Sequence, residues 1–243
     1  MANPKQGPAD KGRPGSPAWW SQQPAREPVK RRGRPSRPFG EIVDAALELA
    51  EEVGVDAFSM RALAERLNTS TATLYRHVAS KDDLMVHVVD RVIGEINLEA
   101  ADGESASWQA YARRRLLGLY GALSARPKLL PLLAAEVPTG PNGLAVREAV
   151  ISDLVGFGFA IDLAARAYTT LARYAIGFVI QQHAPGNSPS QEATQLRRYY
   201  RALDPERFPA TRAAADALTG VPARDEFLEG LQFILDGIDR ARP

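Results

Sequence analysis

The stretch 71-TATLYRHV-78 presents side chains suited to reading a base edge. Thr71 and Thr73 carry hydroxyls that donate or accept, and Ala72 or a Thr methyl can touch a thymine methyl. Residues this small let a backbone come close to DNA. Tyr75, His77 and Lys81 stand where phosphate contacts are expected, and Arg61 can reach a guanine or a phosphate. Lys81 also falls at the start of a helix, where free backbone N–H groups attract anions. Further upstream, 30-KRRGRPSRPFG-40 has five Lys or Arg in its first eight residues. Arg34, between Gly33 and Pro35, suits an extended backbone lying low in a narrow minor groove. The same run also suits a soluble leash, and the same Thr and Arg residues also suit a solvated face of a small helical subdomain.

Charge is unevenly spread. Residues 1–40 hold 9 Lys+Arg and 2 Asp+Glu, a balance of +7, within a chain of net charge +1. The remaining residues are therefore acidic, at −6. A basic arm on an acidic body points to a polyanionic partner.

Enzyme chemistry finds little support. The chain has three His (His77, His87 and His183) at no metal-ligand spacing, and no Cys. It lacks a G-x-S-x-G elbow and a phosphate-binding glycine loop. The acid pairs Glu51-Glu52 and Asp82-Asp83 fall on different helix faces and read as solvated or capping. Neither an enzyme nor a bound metal or other cofactor is expected. Absence of Cys fits a reducing cytoplasm. No apolar run reaches the roughly 20 residues that span a bilayer, and the basic N-terminus lacks the apolar stretch of a secretory signal.

The elements that must carry these residues read as helices throughout. Residues 1–38 hold 8 of the 18 prolines and are expected to be a disordered tail, with Trp19 and Trp20 as stray aromatics. Ile42, Ala46, Leu49 and Val53 recur at helical steps, and Gly54 suits a left-handed cap after them. Ser59 is a candidate N-cap for a second helix that Asn68 closes. A very short third element, Thr71–Val78, follows. Ser80-Lys81-Asp82-Asp83 fits a capping box opening a fourth helix. Beyond Gly103, helices are predicted over 105–125, 127–136, 141–157, 160–183, 190–203, 209–219 and 223–241. A helix, a turn and a shorter helix within such a unit is the pattern of a helix-turn-helix.

The run 59-SMRALAERLNTSTATLYRHVASKDDLM-85, with the preceding 40-GEIVDAALELAEEVGVDAFSMRALAERL-67, resembles the DNA-binding domain of the TetR family of bacterial transcriptional regulators. Trp108-Gln109, 154-LVGFGFAIDLAARAYTTLARYAIGFVIQQHA-184 and 226-EFLEGLQFILDGID-239 are similar to the C-terminal domain of the tetracycline repressor. The resemblance does not cover the tail (1–38); for the rest it implies an all-α chain with a three-helix DNA-binding domain (39–85) and a larger ligand-binding and dimerisation domain (86–243). It implies a homodimer on an inverted-repeat DNA operator, most simply a repressor released by a small-molecule effector. An activator or an effector-independent DNA-binding protein remains open.

Two apolar stripes are candidates for dimerisation: Leu163, Ala167 and Leu171, and Phe227, Leu231, Ile234 and Ile238. Ordinary core is the other reading. Candidate ligand contacts are Asn97, Trp108, Tyr111, Arg115, Leu119, Leu132, Tyr174, Phe178 and Gln181. In the tetracycline repressor a His, a second His and a Glu serve a magnesium-bound drug; Asn97, Leu132 and Gln181 align with them. Magnesium prefers hard oxygen ligands, so a metal-free apolar or aromatic effector is expected.

Overall fold

The computed structural model describes residues 12–23, 38–95, 106–135, 138–183 and 191–242. Their secondary structure is helical, and none of these helices is long and apolar enough to cross a membrane. Packing divides the chain into two compact units: residues 1–104 with 125–156, and residues 105–124 with 157–243.

In the first unit, α2 (Phe39–Val53) buries Ile42, Val43, Ala46, Leu47, Leu49 and Ala50 along one face. Gly54 ends it at φ 84°, its N–H bonded to Ala50 O at 2.9 Å. Ser59 caps α3 (Met60–Arg66), accepting the Ala62 N–H at 3.2 Å. Asn68 adopts φ 48°, a left-handed conformation that Asn tolerates better than most residues. Its N–H reaches Glu65 O, and the Thr69 N–H reaches Ala64 O, so the carbonyls at the end of α3 are satisfied. One turn later α4 (Thr71–Leu74) begins, with Ser70 Oγ accepting the Thr73 N–H at 3.2 Å.

The predicted capping box opens α5 (Lys81–Glu95). Ser80 Oγ accepts the Asp83 N–H at 3.0 Å, and Asp83 Oδ2 accepts the Ala79 N–H at 2.9 Å. Leu84, Val88 and Val92 of α5 are fully buried. The helix packs on α2, on α7 (Leu130–Ala135) and on α8 (Pro141–Gly156). This double duty explains why residues 125–156 belong to the first unit, whereas the sequence suggested a boundary after residue 85.

The N-terminal segment corrects a second expectation. Pro17–Ser21 form a short helix, α1, capped by Ser16 Oγ accepting the Trp19 N–H at 3.2 Å. Trp19 is buried. The rings of Trp19, Trp20 and Phe39 stand 5.3, 5.1 and 4.8 Å from the His87 ring. Two indoles supply the apolar area that the Pro- and Gly-rich composition otherwise lacks. Most of the basic run, including Arg34, lies outside the described residues.

In the second unit, α6 (Trp108–Ser124) and α13 (Ala223–Arg240) both pack on α9 (Ile161–Gln182). Phe227 lies fully buried at the centre, its ring 4.7, 5.2 and 5.3 Å from those of Tyr120, Tyr174 and Phe178. The Tyr174 hydroxyl donates to Phe227 O at 2.8 Å. Burial, with Glu226 as a second cause, pushes that phenol's pKa up. α10 (Gln191–Ala202) precedes a predicted helix over 209–219 that is broken into α11 (Pro209–Ala213) and α12 (Ala217–Gly220). The predicted helix over 127–136 likewise opens with a 3-10 turn, Pro127–Leu129.

Phe227→Ala removes the hub of this cluster. The expected cost is about 3–5 kcal/mol, read as a lower urea midpoint with an unchanged denaturant slope.

Candidate nucleic-acid interface

Of the four residues in α4 only Leu74 is buried, so the rest of this turn is free to meet a partner. Thr71, Ala72 and Arg76 are exposed, and Tyr75 is 50% exposed. Thr73 is half-buried, and its hydroxyl is engaged locally. It lies 3.0 Å from Ser70 Oγ and accepts from Arg76 Nη2 at 3.1 Å. The Arg61 side chain is 85% exposed, and its Nε bonds Glu65 Oε1 at 2.9 Å. His77 is half-buried, stacked on Phe39 at 6.3 Å. The structure thus adds Arg76 to the exposed set. Its signal in the sequence was a cation next to Tyr75 on the reading stretch.

Lys81 has a structural task beside the phosphate contact expected of it. Its ammonium donates to Val55 O at 2.9 Å and Phe58 O at 3.0 Å, and it lies over the Phe58 ring. Two carbonyls of the loop between α2 and α3 take two of its three N–H donors, so Lys81 ties α5 to that loop. Arg66 performs a related task, forking onto Glu52 at 2.7 and 2.6 Å and so bracing α3 against α2. The Arg66 hydrogen bond holds the Glu52 carboxyl below its ordinary range.

The candidate ligand contacts do not form one constellation. Asn97 lies outside the described residues, and Leu132 is half-buried in the first unit. In the second unit Trp108 is buried, its indole N–H donating to Asp239 Oδ1 at 2.8 Å and its ring 5.0 Å from Phe159. Tyr111 is buried 5.5 Å from the Phe157 ring and accepts from Arg115 Nε at 3.1 Å. Contacts with Asp239, Phe159 and Phe157 therefore occupy Trp108 and Tyr111, Arg115 bonds Tyr111, and Tyr174 belongs to the Phe227 cluster. Leu119 and Phe178 are half-buried and Gln181 is exposed.

The proposed dimer stripes need a similar correction. Ala167, Leu171, Phe227 and Leu231 are buried within the same chain, where α9 packs on α6 and α13. Helical periodicity located the buried face correctly but could not tell which surface buries it. Leu163, Ile234 and Ile238 stay partly accessible, and Phe233 on the other side of α13 is 75% exposed.

A capped helix-turn-helix in an otherwise helical chain defines a class, the DNA-binding transcriptional regulators. Residues 42–88 match the family of bacterial regulatory proteins called tetR, and residues 99–242 match the tetracyclin repressor-like C-terminal domain. The chain belongs to the tetR family. It is similar to an HTH-type transcriptional regulator of Saccharopolyspora erythraea, with 37% identity over 61% of this chain and 62% of that protein. The match thus spans less than two thirds of that relative's length. It is also similar to the class A tetracycline repressor protein of Escherichia coli, from transposon 1721. That match is 25% identical over 83% of this chain and 90% of the repressor. Among solved structures, the Streptomyces coelicolor TetR family protein ActR in complex with actinorhodin is similar, with TM-score 0.75 and 29% identity. That likeness covers 83% of this chain and 96% of ActR.

Lys81→Met strands two loop carbonyls and is expected to lower stability by about 1.5–3 kcal/mol. Tyr75→Ala, at an exposed position, is expected to stay within about 0.5 kcal/mol of the wild type. Thermal melting of the two variants separates the structural cation from the presented ring.

Proposed function

We propose that this chain is a dimeric repressor that binds an inverted-repeat DNA operator and is released by a metal-free organic effector. The observation that carries the reading is the exposed set Thr71, Ala72, Tyr75 and Arg76 on a turn whose backbone is fixed from beneath by Leu74. Hydroxyls and a methyl meet base edges, while Tyr75 and Arg76 reach phosphates. A twofold axis sets two such turns about 34–36 Å apart on successive major grooves.

Phe233 on α13 supports pairing with a second copy. One turn on along α13, Gly237 has open space where a side chain would stand. Leu132 offers no donor atom and Gln181 only a neutral amide, so these positions do not suit a magnesium-bound drug. The likeness to ActR, solved with actinorhodin, supports an organic effector.

Ala72→Asp places a carboxylate on the reading face. Operator affinity is expected to fall by at least about tenfold, measured by anisotropy on a fragment that footprinting shows to be a protected inverted repeat. Unchanged affinity would move the reading surface elsewhere. A titration showing tight, saturable magnesium–tetracycline binding would overturn the effector class.

The basic run is proposed as an arm that touches DNA phosphates. Changing Lys30, Arg31, Arg32, Arg34 and Arg37 together to Gln is expected to flatten the slope of log affinity against log salt. If all five meet phosphates, the change is up to about 4.5. An unchanged slope would make the run a linker.

A further inference from the structure

Within the first unit lies a cavity of about 310 Å³. Its apolar walls include Trp20, Met85, Val89, Ile93, Leu132 and Pro138. It is a partly open cleft rather than a sealed void, with space for a small organic molecule and a lining that is mostly apolar. We propose that it is a binding site for a flat aromatic compound held in the cleft lined by Trp20 and by Met85, Val89 and Ile93 of α5, with the segment Gly12–Gln23 as its outer wall.

The wall is built rather than incidental. Ser16 caps α1, Trp19 is buried, and Thr139 Oγ1 donates to Gly15 O at 2.7 Å, fastening the segment across the opening. Gly140 permits the approach: a Cβ there would meet Trp20 Cζ2 at 2.7 Å and would also collide with Asp90. Trp20 supplies a planar face, and Met85 a polarisable thioether of the kind that packs well on aromatic rings. The buried acid beside the cavity has other work. The two oxygens of Asp90 accept from the Asn142 N–H at 3.2 Å, Asn142 Nδ2 at 3.0 Å and the Gly143 N–H at 3.1 Å. Arg13 and Asp82 also line the site, so recognition rests on shape and apolar area with charged groups of both signs at its edge. Residues 12–23 precede both family matches, so this wall is a feature of the chain beyond the family's matched domains.

The inference does not depend on the operator reading, and its test contains no DNA. The chain has three methionines, Met1, Met60 and Met85, so ¹³C-methyl spectra of the full-length protein resolve the site directly. The probe is 1-anilinonaphthalene-8-sulfonate. Its addition is expected to shift the Met85 methyl resonance saturably and leave Met60, in the core of the DNA-binding helices, in place. Val89→Trp, which fills the cavity from a half-buried position, is expected to abolish the Met85 shift. Trp20→Ala is expected to weaken it at least tenfold. If dye fluorescence saturates in the wild-type protein while Met85 stays still, or if no dye binds, the proposal is overturned. The wild-type spectrum decides the matter even if either variant fails to fold.

Discussion

Asp90 is a buried carboxylate, and the first unit is organised around its needs. Burying a charge is costly unless it is paired and hydrogen-bonded. Here the opening turn of α8 supplies two backbone N–H groups, the Asn142 amide adds a third donor, and the helix dipole favours the negative charge. The bonds fix α8 to α5 and bring Gly140 against Trp20. The same α5 buries Leu84, Val88 and Val92 in the core that supports the reading turn. Arg126 adds a second tie, bonding Glu51 of α2 at 2.7 Å and Glu95 of α5 at 2.8 Å. A tilt of α5 must therefore either carry α2 and the reading turn with it or break these bonds.

The reading turn itself is too short to be stable alone, since one helical turn fixes several residues for one or two hydrogen bonds. Its order is imposed from outside by Leu74 in the core, Ser70 at the cap, Asn68 in the preceding left-handed position and Lys81 across the neighbouring loop. Each of these faces inward or along the backbone. The arrangement gives a rigid backbone whose outward side chains are free of structural duty. Thr73 and Arg76 are the partial exceptions, because the Thr73 hydroxyl lies against Ser70 Oγ and accepts from Arg76.

Local chemistry was legible in the sequence because capping depends on residues close in the chain. Gly54, Ser59, Asn68 and the Ser80–Asp83 box all act where their types and spacing placed them. Non-local roles were not legible. Lys81 had the position of a phosphate contact, and only the fold brings Val55 O and Phe58 O within its reach. Trp19 and Trp20 looked out of place because composition averages over a segment, while two large side chains suffice to dock it. Trp108 and Tyr111 lay on the helices expected to enclose a ligand, yet partners contributed from Phe157, Phe159 and Asp239 turn them into core.

The stripes on α9 and α13 illustrate the same limit more sharply. Periodicity at three and four residues states that a face is covered, and is silent about what covers it. Phe227, Leu231 and Leu235 satisfy the period inside the chain. Phe233 breaks it, an apolar ring left in water among the exposed Glu229, Asp236, Gly237 and Arg240. Charged residues around an apolar centre have the composition of an interface: core within, polar rim without. Glycine beside the ring lets another helix approach closely. A search for amphipathic stripes passes over Phe233, because it lies on the face that the stripe leaves to solvent.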